Sequence, residues 1–217
     1  MKRIILVLSV FLLTINVFSQ EANKAKALLD EVAQKVEGYS NIYLEFNHRI
    51  DNYDADVHQE TLGSATLKGE KYHLNYMGTE QIFDGNKTYI IIHEDEEVII
   101  QKASNNNNST LTPSKIFSFY KNGFSYQMGD LKNLKGIKIQ YVKLIPTDSN
   151  SEIKNVMIGI DSRTKHIYNI IETGKNNTIT TLEVRTFKTN QPISEKLFIF
   201  DEQTFRNKKN YTISEPN

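Results

Sequence analysis

An alternation of apolar and polar residues with a period of two, renewed again and again after Ile42, restricts this chain more than any other feature. In residues 42–51, Ile42, Leu44, Phe46 and Ile50 share one face with His48, and Tyr43, Glu45, Asn47, Arg49 and Asp51 share the other. The same period returns in residues 61–68, 71–77, 88–93, 97–102, 125–128, 137–145, 152–161, 166–172, 178–186 and 195–201. Turn signals separate these runs: Lys68-Gly69-Glu70, Asp84-Gly85-Asn86, Glu94-Asp95-Glu96, Lys135-Gly136, residues 161–165 and residues 174–177. Strands at hairpin spacing predict one large antiparallel sheet of about ten to eleven strands, wet on one face and covered on the other. A sheet of that width curls as it twists.

Two segments leave the period. In residues 22–39, Ala25, Leu28, Leu29, Val32 and Val36 recur at three- and four-residue steps, which predicts an amphipathic helix ending near Gly38. Farther on, Thr112 and Pro113 read as N-cap and first helical position of a short aromatic helix carrying Ile116, Phe117, Phe119 and Tyr120. Before it, residues 103–110 hold four consecutive asparagines and read as a mobile, solvated loop. The fold class is therefore α+β, mainly β: a curved sheet under a lid of short amphipathic helices. Two helices are thin cover for so large a concave face, so the space between them is either packed core or cavity.

The first residues read as an address. Met1-Lys2-Arg3 is a basic start, residues 4–18 are an apolar run, and Val17-Phe18-Ser19 offers a cleavage site before Gln20. The apolar run is shorter than the about 20 residues a membrane span needs. The expected product is an exported single domain over residues 20–217. The whole chain balances 26 Lys+Arg against 26 Asp+Glu, and losing Lys2 and Arg3 makes it slightly acidic, which argues against nucleic acid as a partner. It has no cysteine, hence no disulfide, no thiolate nucleophile and no lipid-acceptor residue.

The chain resembles the periplasmic outer-membrane lipoprotein carrier family, LolA. The likeness runs through residues 26–32 and 39–46 (the first helix and strand), the hairpin 63–72, the Asp84-Gly85-Asn86 turn within residues 82–89, and residues 111–117 as a second lid helix. It continues through residues 141–146, 158–161, 187–194 and 198–200. The resemblance implies an incomplete β-barrel closed by helices around an apolar cavity for acyl chains. It further implies acylated lipoproteins as cargo, an inner-membrane lipoprotein-release transporter as donor, and the outer membrane or a receptor in it as acceptor. Such a carrier is periplasmic and monomeric, with no cofactor and no catalysis. A lipid- or glycolipid-binding protein, or a ligand-sensing module, is the alternative on the same fold. Where many members carry a basic residue before proline at the third strand, this chain has Lys68-Gly69-Glu70-Lys71.

The chemistry of carriage is simple. Burying acyl chains yields about 0.8 kcal/mol per methylene, so a 16-carbon chain represents roughly 12 kcal/mol and needs an apolar wall in water. The expected wall comprises Leu28, Val32 and Val36 of the first helix and Ile116, Phe117 and Tyr120 of the second. Its strand residues are Leu44, Phe46, Ile50, Leu67, Leu74, Tyr76, Ile90, Ile92, Ile139, Tyr141, Ile158, Ile160, Ile171, Leu182 and Val184. Of five histidines, His48 reads as facing the covered side and His58, His73, His93 and His166 as exposed; none has metal-ligand spacing. Glu94-Asp95-Glu96-Glu97 lacks the spaced ligands of a calcium loop and reads as a solvated hairpin tip, and Arg206 to Lys209 as a solvated tail. No nucleophile elbow or phosphate-cradling glycine loop is present.

Overall fold

The computed structural model describes residues 2–102 and 113–216, with side chains from Gln20 onward except that of Ser114. The asparagine-rich loop and the Thr112 cap expected above lie outside the described residues, as do the side chains of the apolar N-terminal run.

Among the described residues twelve strands form one sheet: β1 Ile42–Asn52, β2 Val57–Lys68, β3 Lys71–Tyr76, β4 Thr79–Phe83, β5 Lys87–Ile92, β6 Glu97–Lys102, β7 Phe124–Leu134, β8 Ile137–Pro146, β9 Ile153–Asp161, β10 Ile167–Gly174, β11 Ile179–Thr189 and β12 Thr212–Ser214. Their order across the sheet is β12-β6-β5-β4-β3-β2-β1-β11-β10-β9-β8-β7. Every neighbouring pair is antiparallel except β12 with β6, which is parallel. β7 and β12 stay apart as edges, so the curved sheet is an incomplete barrel.

Two strands escape the alternation. β4 follows β3 through a two-residue turn in which Met77 (φ 52°) and Gly78 (φ 74°) both take left-handed backbone, the geometry that matches strand twist. Its sequence, Thr-Glu-Gln-Ile-Phe, scarcely alternates. β12 has three residues and no period to read. Conversely, residues 195–201, expected as a strand, hold a 3₁₀ turn, Glu195–Phe198. There Ser194 Oγ accepts the amide of Lys196, a local bond that competes with strand pairing. The expected second helix is likewise two 3₁₀ turns, Pro113–Phe117 and Phe119–Lys121.

The helix α1 runs Lys2–Glu37 through the expected cleavage point. Its stripe of Ala25, Leu29, Val32 and Ala33 is buried against the inner sheet face. Residues directly opposite in register share a face. Leu44 pairs with Ala65 and Ala65 with Leu74; Val142 pairs with Ile158 and Ile158 with Ile170. These make the inner face, and together with α1, Phe117 and Tyr120 they form the main core. Phe46 lies across Gly63, where an added Cβ would come within 2.3 Å of the ring. Gly63→Ala is therefore expected to cost about 1–3 kcal/mol, read as a lowered denaturant midpoint with unchanged slope.

The outer face is not uniformly wet, as the alternation implied. On β4–β6, Ile82, Ile91, Val98 and Ile100 form a second core under Phe200, Phe205, Tyr211 and Ile213. The chain after Thr189 is a strap: Asn190 bonds at Ser40, Glu195 pairs with Lys68, Phe198 is buried, and β12 joins the β6 edge. The segment expected as a solvated tail is a π turn, Thr204–Lys208, inside this strap. Lys209 holds its ammonium 4.0 Å from the Phe205 ring centroid.

Beside the strap, Glu80 takes hydrogen-bond partners at 2.7 Å (His73) and 3.2 Å (His93), and His93 meets the Tyr211 hydroxyl at 3.0 Å. His73 is therefore largely buried rather than exposed. The His73 bond, chiefly, holds the Glu80 carboxyl below its ordinary value against the opposing effect of burial. A depressed carboxylate stabilises the fold above its unfolded pKa, and this contribution disappears as pH falls through the folded value. Melting curves of the protein and Glu80→Gln are expected to differ near pH 6 and to converge below the ordinary glutamate range.

Candidate functional site

The inner face carries two cavities. One, of about 160 Å³, is lined by Leu44, Phe46, His48, Ala65, Leu74, Tyr76 and Leu182 on the sheet and by Pro113 and Ile116 on the lid. The other, of about 290 Å³, lies at the opposite end of the lid turn, between Ala33, Val36 and Tyr39 and the wall of Ile42, Leu67 and Gly69; Phe117 and Ser118 bound it. The turn Pro113–Phe117 thus separates them, with Ile116 toward one and Phe117 toward the other.

That turn is the plug between them. Ser118 donates its amide to the Lys115 carbonyl at 2.9 Å, and Lys121 donates its own to Ser118 at 3.0 Å. A 3₁₀ turn has poorer bond geometry than an α-helix and is seldom extended. Its firm anchor is next along the chain: Tyr120, 1% exposed, donates its hydroxyl to the Leu29 carbonyl of α1 at 2.9 Å. Tyr126 in turn donates to the Tyr120 carbonyl at 2.8 Å. At the far end, Phe117 meets Phe187 edge-on, and Phe187 lies 4.3 Å from the His166 ring, centroid to centroid. His166 bonds to the Tyr39 hydroxyl at 2.8 Å and is half-buried, not exposed. Burial, helped by Lys35, lowers its pKa.

The residues expected to line the wall divide into four groups. Leu44, Phe46, Leu74, Tyr76, Ile116 and Leu182 bound the smaller cavity, and Val36, Leu67 and Phe117 the larger. Leu28, Val32, Tyr120, Ile158 and Ile160 pack in the main core. Register puts Ile50, Ile90, Ile92 and Val184 on the inner face, opposite Gln59, Gln81, Thr79 and Phe46 respectively. Ile139, Tyr141 and Ile171 lie on the outer face: Tyr141 is opposite Gly159, and Ile171 opposite Met157. Both faces of β8 are apolar, so alternation could not choose between Ile139 with Tyr141 and Val142 with Leu144. Ala65 and Pro113 escaped the sequence reading because neither stands out in an apolar pattern.

No family model matches the chain, and no curated protein does. Solved structures do match. An uncharacterised conserved protein from Thermus thermophilus superposes with a TM-score of 0.59 at 7% identity, over 89% of this chain and 99% of that one. LprF from Mycobacterium bovis gives 0.49 at 8%, over 80% and 96%. The LolA superfamily protein NE2245 from Nitrosomonas europaea gives 0.44 at 10%, over 81% and 97%. At such identities the likeness is one of fold. In this chain it is an incomplete barrel with α1 and a 3₁₀ segment across its inner face.

Proposed function

We propose that the protein is an exported, non-catalytic carrier that takes acyl chains into the inner-face cavities once the Pro113–Phe117 turn moves aside. The observation that carries this reading is the turn itself: a short segment wedged between two cavities, the smaller walled by apolar side chains around His48 and Tyr76, the larger lined also by Glu37, Asn41 and Glu70. The cavities, at about 290 and 160 Å³, lie at or below the about 300 Å³ at which small-molecule pockets begin, and a single space formed by withdrawing Ile116 and Phe117 exceeds it. Both plug residues sit on a short 3₁₀ turn rather than a long helix. On this reading residues 1–19 are the export signal and residues 20–217 the carrier domain. The cargo is acylated lipoprotein, received from an inner-membrane transporter and passed to the outer membrane or a receptor there. The low volume of the closed form suits a carrier that must also release.

The test is binding of a synthetic triacylated lipopeptide, followed by co-elution in gel filtration and by native mass spectrometry. A one-to-one complex is expected, with Ile116 and Phe117 becoming more accessible to hydroxyl-radical labelling. Failure to bind this lipopeptide, single-chain lysophospholipid and fatty acid alike would sink the carrier reading.

A further inference from the structure

The smaller cavity contains one polar feature in an otherwise apolar wall: His48 Nδ1 stands 2.7 Å from the Tyr76 hydroxyl oxygen. Their rings meet edge-on, with centroids 5.5 Å apart. The two side chains come from separated strands, β1 and β3, and both face inward by register. Burial lowers the His48 pKa, so at neutral pH the imidazole is uncharged and carries one N–H.

The donor count then has one outcome whichever tautomer is present. A neutral imidazole and a phenol together own two donors, one N–H and one O–H. A single mutual bond uses one of them. If Tyr76 donates to Nδ1, the histidine proton is on Nε2 and remains free. If Nδ1–H donates to the phenol, the Tyr76 O–H remains free. Among the described residues neither group has a second hydrogen-bond partner. One spare donor is thus always present in a wall of Leu44, Leu74, Leu182 and Ile116. An acceptor that enters the cavity meets this donor beside a wall that offers no acceptor of its own.

We propose that the His48–Tyr76 pair is the anchor for the carbonyl oxygen at the head of an acyl chain. It makes the site selective for acyl esters, amides or carboxylates over plain alkyl chains. This rests on the acyl-binding reading above and adds to it the chemical class that the cavity prefers. The pair positions the chain by its first carbon, leaving the methylenes to the apolar wall.

The comparison that tests it uses two lysophospholipids differing in one group: 1-palmitoyl-lysophosphatidylcholine, with an ester carbonyl, and its 1-O-hexadecyl ether, without one. Titrations below their micelle concentrations are expected to give about five-fold tighter binding of the ester, the worth of one net hydrogen bond. His48→Leu leaves the tyrosine donor and Tyr76→Phe leaves the histidine donor, so each single variant keeps an ester-to-ether ratio above one. His48→Leu/Tyr76→Phe removes both donors and brings the ratio to one. Palmitate, added as a third ligand, separates sources: binding tighter than the ester assigns the anchor to a carboxylate, and equal or weaker binding to an acyl ester. Equal binding of ester and ether by the unmodified protein overturns the anchor and leaves the carrier reading standing. No binding of either removes the carrier reading and the anchor with it. The ratio in the unmodified protein decides the matter even if the double variant does not fold.

Discussion

A chain lacking residues 200–217 is expected to aggregate, or to remain compact only with its β4–β6 end molten. The deletion takes away Phe200, Phe205, Tyr211 and Ile213, the whole cover of the second core, together with β12. Ile82, Ile91, Val98 and Ile100, each at most 6% exposed, then face water on the outer surface. Burial of such side chains contributes about 1.5–3 kcal/mol each. Their summed loss is of the order of the whole net stability of a domain, about 5–15 kcal/mol. Gel filtration and binding of a hydrophobic dye read the result. A monomeric truncated protein that melts with the full chain and binds no dye would show that the strap is ornamental.

The second large effect is expected at Tyr120. Truncation to alanine empties a fully buried site in the main core, between α1 and the lid, and costs about 3–5 kcal/mol on the scale of buried aromatic deletions. Tyr120→Phe keeps the ring and removes only the bond to the Leu29 carbonyl, so its cost is about 1 kcal/mol. The two variants separate packing from anchoring. In both, residues 113–121 are expected to exchange amide hydrogens faster relative to the sheet, since the anchor of the lid is what has been weakened. Denaturant titration with hydrogen-exchange mass spectrometry measures both. Equal destabilisation by the two substitutions would contradict this division.

Much of this architecture is legible in the sequence because strands with one apolar side announce themselves. β1, β3, β5, β6 and β9 follow from alternation alone, and α1 from Ala25, Leu29 and Val32. What resists reading has identifiable physical causes. β4 depends on two consecutive left-handed residues at Met77 and Gly78, and only the glycine hints at them. β8 is buried on both sides, so period two loses its meaning there. The strap is the largest omission: Phe200, Phe205 and Tyr211 look like strand and tail residues, and their shared destination, the outside of the sheet, is a long-range fact that no local pattern encodes. The His48–Tyr76 pair is of the same kind. Each residue is visible on its apolar face, but their meeting requires the register of β1, β2 and β3 together.

The parallel pairing of β12 with β6 has a consequence for how such a chain comes into being. Ser214 reaches Glu97 across 117 positions of sequence, so the β6 border of the sheet can be sealed only after residues 212–214 have been made. Until then a row of unsatisfied amides and carbonyls stands open beside Val98 and Ile100, available to any passing strand. The β7 border, by contrast, comes with its own deterrents, a bulge between Met128 and Leu131 and the charges of Asp130 and Lys132. The newborn protein is therefore most vulnerable on one side, and the arrival of residues 212–214 ends that vulnerability.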